Sequence, residues 1–224
     1  MLKDLIIIGA SGFGREAAWL VERINHRNPT WNLLGFLDDN KDIVGKDING
    51  YSVLGTSEDV EKFREAYFVC AIGNSRVREK MIGRITEINS EVMFATLIDP
   101  SVVISDLVKI GRGTIICAHT IITVNIDMGE HVIINLDCTI GHDAVIEDFV
   151  TLYPSVNVSG ITTIRRNVEM GTGSQIIQGK KIGEYSIIGA GAVVVKDIPA
   201  NCTAVGCPAK IIKSVPESVQ GTLP

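Results

Sequence analysis

The chain has 224 residues, a formal net charge of −5 and 5% aromatic residues, with a pI near 5.4. That length suits two modest domains. The acidic balance, with no basic run, argues against nucleic acid as a partner, and no apolar stretch approaches the ~20 residues of a membrane-spanning helix.

The N-terminus does not read as a secretory signal, because its apolar run ends in glycines and then Arg15 and Glu16. Residues 5–8 predict a short buried strand. A turn follows, Gly9-Ala10-Ser11-Gly12-Phe13-Gly14, and then a helical run over 15–24. A strand, a glycine-rich turn and a helix N-terminus place free N–H groups and a positive helix end together, which suits a pyrophosphate. Gly9, Ser11, Gly12, Phe13 and Gly14 are therefore candidate nucleotide contacts. The next predicted strand, 33–37, ends at Asp38 and Asp39, an acidic pair able to accept hydrogen bonds from a ribose or a base. A third strand, 67–72, ends at Gly73 and Asn74, and a helix is predicted from Ser75 to about Asn89.

Two familiar readings of this turn fail. Its spacing, G-x-x-G-x-G, is not the dinucleotide fingerprint, and a region of ~95 residues is too small for two mononucleotide halves. Nor is it a Walker loop, since Arg15 and Glu16 stand where Lys and Ser/Thr belong. One nucleoside diphosphate fits; a tight strand-to-helix turn without ligand is the alternative.

From Ile98 to Val194 every sixth residue, seventeen in all, is aliphatic without exception. Neither a helix nor a strand repeats at six. A three-sided coil of short parallel strands does, with one face and one corner per unit and eighteen residues per turn. The position two before each key residue is mostly small or β-branched, as at Thr114, Thr120, Cys138, Ala144 and Ser174. Glycine follows the key residue at Gly111, Gly129, Gly141, Gly171, Gly183 and Gly189, which predicts corners with unusual backbone angles. At ~4.8 Å per layer, five to six coils stand roughly 25 Å tall. Such stacks bury a continuous core one repeat at a time. Five scattered cysteines, Cys70, Cys117, Cys138, Cys202 and Cys207, read as small core residues of a reduced, cytoplasmic protein, with Cys202–Cys207 a conceivable bridge.

The coil resembles the hexapeptide-repeat acyltransferases, whose coil is a left-handed parallel β-helix. Joined to the front module, the likeness narrows to sugar acyltransferases grouped with sialic-acid O-acetyltransferases, and most closely to N-acetyltransferases of nucleotide-linked 4-amino-4,6-dideoxysugars. Segments 8–16, 36–39, 71–74, 97–101, 135–149 and 205–210 carry it. The resemblance implies an α/β plus all-β chain: a small Rossmann-like domain over 1–95 that holds the nucleotide-sugar, a left-handed β-helix over 96–213, and a C-terminal tail over 214–224. It also implies a homotrimer with acetyl-CoA as co-substrate between subunits, no metal and a place in polysaccharide biosynthesis.

Acetyl transfer to an amine or hydroxyl needs a general base near neutral pH, usually histidine. His26 reads as a surface residue of the first helix. His119, His131 and His142 lie in the coil, and only His142 is followed by a carboxylate, Asp143, able to fix its tautomer. By resemblance His142 is the base and Asn135 helps bind the acceptor, although the family more often has Glu after the histidine. A further family histidine that can contact CoA falls on Thr151, a departure that takes the imidazole away from that candidate cofactor position. Gly160, eighteen residues after His142, is a candidate oxyanion or CoA contact. Gly171, Gly189 and Gly191 would let pantetheine lie against the coil, and Lys196, Pro208 and Lys210 are candidate contacts for the rest of CoA.

Three rivals stand beside this reading. A three-histidine zinc enzyme on the same coil is disfavoured because His119, His131 and His142 fall on three different corners. A non-catalytic nucleotide-sugar-binding protein is disfavoured by the His142-Asp143 pair. O-acetylation of sialic acid or a related sugar hydroxyl stays open. Phe13 stands where amino-sugar enzymes often have a polar residue.

Overall fold

The computed structural model describes residues 1–214; beyond Ser214, the predicted tail lies outside the described residues. The chain divides into two compact units, Met1–Pro100 with Arg112–Ile115, and Ser101–Gly111 with the chain from Ile116 onward. Among the described residues no helix is long and apolar enough to cross a membrane.

The first unit is Rossmann-like. It runs β1 (Lys3–Ile8), α1 (Gly12–Arg27), β2 (Trp31–Leu37), β3 (Asp47–Ile48), β4 (Tyr51–Gly55), β5 (Tyr67–Cys70), α2 (Ser75–Ile88) and β6 (Met93–Phe94). The sheet order is β3-β4-β2-β1-β5-β6, parallel except for the β3–β4 hairpin. Leu5, Ile6, Ile7 and Ile8 are all buried, as an unbroken apolar run must be in a parallel strand covered on both faces. α1 packs with Ala17, Ala18, Leu20 and Val21 inward. The hairpin was not foreseen, yet Asn49-Gly50, at φ 52° and 87°, is a residue pair suited to a two-residue hairpin turn.

The second unit is the left-handed parallel β-helix. The coil's seventeen two-residue strands run from β7 (Leu97–Ile98), which the division counts with the first unit, to β23 (Val193–Val194). Through β20 each pairs with the strand eighteen residues on: Ile121 with Thr139 and Ile122 with Ile140 on one face, Asp127 with Val145 on the next, Ile133 with Thr151 on the third; in the last turn Ile182 pairs with Ile198 and Ile187 with Thr203. The key aliphatic residues from Ile116 to Val194 are all buried, while Ile98, Ile104 and Ile110 are half-buried. Each fully buried one contributes about 1.5–3 kcal/mol by transfer from water. β24 (Cys202–Val205) continues one face, and β25 (Lys210–Ser214) folds back antiparallel to it.

Two expectations are corrected here. Left-handed backbone does occur at the corners from Gly113 to Gly191, but three residues after the key position and mostly not at glycine: His119, Asn125, His131, Asp137, Asp143, Phe149, Ser155, Ile161, Asn167 and Tyr185 all have φ between 54° and 63°. The glycines directly after key residues, among them Gly141 and Gly171, are not at positive φ. They are there for lack of room: a Cβ on Gly141 would lie 2.6 Å from Gly160 N, and one on Gly171 2.6 Å from Ala190 N. Of the cysteines, Cys70, Cys117, Cys138 and Cys202 are buried as expected, but Cys207 is exposed, and all five are free thiols. No Cys202–Cys207 bridge forms.

Candidate active site

In the first unit, the loops after β1, β2 and β5 meet at the carboxyl edge of three adjacent parallel strands. Chain direction diverges there, since α1 carries β1 to β2 on one side and β5 pairs on the other. Such crevices are where open α/β sheets bind ligands. Gly9 takes φ 96°, and a Cβ on it would touch Ala71 O at 3.4 Å. Gly14 allows helix and turn to meet, because a Cβ there would run into Gly9 O. Ser11 is the N-cap of α1 but makes no side-chain cap bond, and no acidic residue lies in the helix's first turn. That leaves a positive helix end and a hydroxyl side by side. Gly12 is open and Phe13 half-buried at the same place.

The acidic pair is more committed than its sequence suggested. Asp38 accepts from Ala10 N–H at 2.8 Å and from Asn40 N–H at 2.9 Å, so it braces the glycine-rich turn. Asp39 accepts from Ser57 N–H (2.9 Å), Ser57 O–H (2.7 Å) and Arg84 Nη1 (3.0 Å). Burial pushes the Asp39 carboxyl up, but the Ser57 bonds and Arg84 outweigh it and hold it below the usual range. Asn74 Oδ1 caps α2 at Val77 N–H, 3.0 Å. Sequence reading missed Arg78, a wholly buried side chain whose Nη1 donates to Ile72 O (2.6 Å) and Gly73 O (3.0 Å) and so shapes the third loop.

In the coil, His142 and Asp143 share one corner. Asp143 is the left-handed residue, φ 58°, and its Oδ2 lies 2.7 Å from His142 Nδ1. The His142 bond first, then one from Asn125, hold the Asp143 carboxyl below its ordinary value. An ionised carboxylate only accepts, so in a neutral ring this contact selects the tautomer with the proton on Nδ1 and the lone pair on Nε2. About half of each side chain is exposed, 48% and 49%. The imidazole lies over Gly160: a Cβ there would be 2.6 Å from Nε2 and 2.7 Å from Cε1. Lys196, three coils on at the same corner, is exposed.

The remaining candidates do not join this corner. Asn135, Gly171, Gly189 and Gly191 occupy the corner that precedes it in each coil. Asn135 is nearly buried, 9% exposed, and its Oδ1 accepts from Leu136 N–H at 2.7 Å. Thr151 is buried in its strand, and Pro208 and Lys210 are exposed beside β24 and β25. His119 and His131 are left-handed corner residues, each on a different corner from His142. Among the described residues no group of three or more His, Cys, Asp or Glu is placed to hold a metal ion.

Comparison with known proteins agrees with this architecture. Residues 4–85 match the model of the PglD N-terminal domain. Over 221 residues the chain is 33% identical to the GDP-perosamine N-acetyltransferase of Escherichia coli O157:H7, covering 95% of this chain and 98% of that protein. The acetyltransferase domain of PglB from Neisseria gonorrhoeae, solved with acetyl coenzyme A, superimposes with a TM-score of 0.86 at 30% identity, over 95% of this chain and 100% of that one. A histidine-to-asparagine variant of perosamine N-acetyltransferase from Caulobacter crescentus, solved with CoA and GDP-perosamine, gives 0.83 at 27% identity over 96% and 99%. A Rossmann-like front unit followed by such a coil defines a class of hexapeptide-repeat acyltransferases. Within that class, the chain belongs to the sugar acyltransferase family of sialic-acid O-acetyltransferases and nucleotide 4-amino-4,6-dideoxysugar N-acetyltransferases.

Proposed function

We propose that the protein transfers acetyl from acetyl-CoA to the amine of a nucleotide-linked 4-amino-4,6-dideoxysugar, with His142 as general base. The observation that carries this is the His142–Asp143 pair, 2.7 Å apart on an open corner, in a chain similar along 95% of its length to a GDP-perosamine N-acetyltransferase. Asp143 accepts from Nδ1–H, and Nε2 takes the proton as the neutral sugar amine attacks the thioester carbonyl. The C–N bond forms, the carbonyl oxygen becomes an oxyanion, and Gly160 N–H is its proposed donor. Collapse breaks the C–S bond, and the imidazolium returns its proton to the departing thiolate.

The helix end at Ser11 to Gly14, with the loops at Asp38, Asp39, Gly73 and Asn74, is the proposed nucleotide-sugar site. Asn135, Gly171, Gly189 and Gly191 sit on one coil corner, while His142, Gly160 and Lys196 sit on another. This division favours a homotrimer in which a neighbour's corner brings Asn135 to the acceptor and Gly171, Gly189 and Gly191 to acetyl-CoA, with Pro208 and Lys210 as further proposed contacts; Thr151, buried in its strand, is not among them. The test is CoA release from acetyl-CoA against a panel of nucleotide 4-amino-4,6-dideoxysugars and free sialic acid. Turnover of the former is expected, and His142→Ala should lower kcat by about 10²–10⁴. Turnover of sialic acid alone, or a fully active His142→Ala, refutes the proposal.

A further inference from the structure

Asn125 lies one coil below Asp143 on the same corner, eighteen residues earlier, and both residues are left-handed, φ 56° and 58°. The Asn125 Nδ2 donates to Asp143 Oδ1 at 3.1 Å, while Asp143 Oδ2 meets His142 Nδ1 at 2.7 Å. The carboxylate is therefore gripped at both oxygens, by a neutral amide on one side and the ring on the other. An Asp side chain half open to water would otherwise rotate about two torsions and leave the ring.

We propose that Asn125 is a positioning residue: it locks the Asp143 carboxylate, which in turn keeps His142 Nδ1 protonated and Nε2 in its place over Gly160. This rests on the reading of His142 as the base. A neutral amide suits the task because it steers one oxygen without removing the negative charge that stabilises an imidazolium. Among the described residues, His142 and Asn125 are the side chains bonded to the Asp143 carboxylate. The corner's further ionisable residues, Asp106, Lys180, Lys196 and Asp197, stand two or three coils away, roughly 10–14 Å at ~4.8 Å per layer, and are largely screened at ~0.15 M salt, where the Debye length is about 8 Å. The strands beside the corner present Ile121, Thr139 and Asn157 on one face and Asp127, Val145 and Thr163 on the other, and Asp127 is paired with Lys109 Nζ at 3.2 Å.

Asn also tolerates left-handed backbone, so a purely conformational role must be separated from the proposed one. Gly and Asp both tolerate that backbone, which makes Asn125→Gly and Asn125→Asp the informative variants of the full chain, with His142→Ala alongside. Asn125→Gly should lower kcat about tenfold with both KM values within about twofold. Its long-range ¹H–¹⁵N spectrum should lose the single Nδ1–H tautomer expected for His142 in the parent protein. Asn125→Asp sets a like charge against Asp143 and should move the acid limb of kcat/KM up by about half a pH unit at low ionic strength.

If Asn125→Gly keeps the parent kcat and the parent ring spectrum, losing thermal stability or nothing, the positioning role is refuted while an inactive His142→Ala leaves the base in place. An active His142→Ala refutes the base instead. The ring spectrum, which needs no substrate, still decides for or against Asn125.

Discussion

Gly160→Ala tests whether the seat of the imidazole is as important as its carboxylate partner. Gly160 is not in the left-handed region, so alanine suits its backbone, and the exchange by itself stabilises the folded chain by up to about 1 kcal/mol through the unfolded state. The added methyl, however, would stand 2.6 Å from His142 Nε2, 2.7 Å from Cε1 and 2.9 Å from Cδ2. Ordinary contact between such atoms is about 3.5–4.0 Å, so the ring must retreat by roughly 1 Å. It can do so cheaply, because the His142 side chain is 48% exposed; the protein should fold and melt within a few degrees of the parent.

Catalysis should not survive so well. A displacement of that size costs on the order of 10²-fold in rate, or about 2.7 kcal/mol in activation free energy. The backbone N–H proposed for the oxyanion is retained, so the loss isolates the ring's position. The assay is kcat/KM from initial CoA release, with acetyl-CoA affinity measured separately by calorimetry. A variant with parental kcat/KM would show that the ring does not rest where the coil puts it, or that its place does not matter. A variant whose only defect is acetyl-CoA affinity would reassign Gly160 to the cofactor.

Three further outcomes follow from the same geometry. The Asp143 carboxyl is held below its ordinary 3.8, chiefly by His142 and then by Asn125; a depressed folded value means that its grip is complete above that pH and lost only as pH falls further. Between about pH 5 and 8 the acid limb of kcat/KM should therefore have unit slope, and a slope of two would contradict a permanently ionised Asp143. Burial pushes the Cys70 thiol up to about 12 and Cys138 up to about 11, and Cys117 and Cys202 are also buried. A disulfide reagent at pH 8 should thus titrate one fast thiol per folded chain, abolished by Cys207→Ser; two or more fast thiols would be inconsistent with the described packing. Gly14→Ala drives a methyl into Gly9 O and should destabilise the first unit by about 1–3 kcal/mol, read by urea unfolding, with weaker nucleotide-sugar binding; an unchanged midpoint would mean that the turn and α1 are not so close.

The parts of this molecule that were legible in sequence are those where one residue type recurs under one constraint. The axis of the coil admits an aliphatic side chain at every sixth place, and the strand at 5–8 is apolar throughout because it is covered on both faces. The corner rule was misread because two constraints were mixed. Glycine after the key residue marks close approach between coils, as at Gly141, whereas the positive φ falls on residues as unlike as Phe149, Ile161 and Asn125 and leaves no compositional trace. Pairings across coils were equally hidden. Gly160 lies against His142 and Asn125 against Asp143, each eighteen residues apart, and nothing in either residue alone announces a partner. Arg78 was overlooked because an arginine in a helix reads as solvated, yet here it is fully buried under the loop at Ile72 and Gly73.

The aspartate in place of the family's more frequent glutamate is better understood from the coil than from the chemistry. The residue after His142 must adopt φ near 58°, a conformation that penalises most side chains and is several-fold enriched in Asn and Asp. The turned backbone also sends the side chain back along the corner, so the shorter acid still reaches Nδ1 at 2.7 Å and leaves its other oxygen for the layer below. A glutamate would reach the ring with one more torsion to fix. Asn125, which meets the same backbone demand one coil earlier, supplies the donor for that second oxygen. The aspartate thus keeps both contacts on which the proposed orienting role rests, one to the ring and one to the layer below. Asp143→Glu should accordingly lower kcat through loss of the Asn125 bond, with the ring spectrum shifting in the same sense as in Asn125→Gly; if Glu instead raised kcat, the corner's preference for the shorter acid would be conformational only.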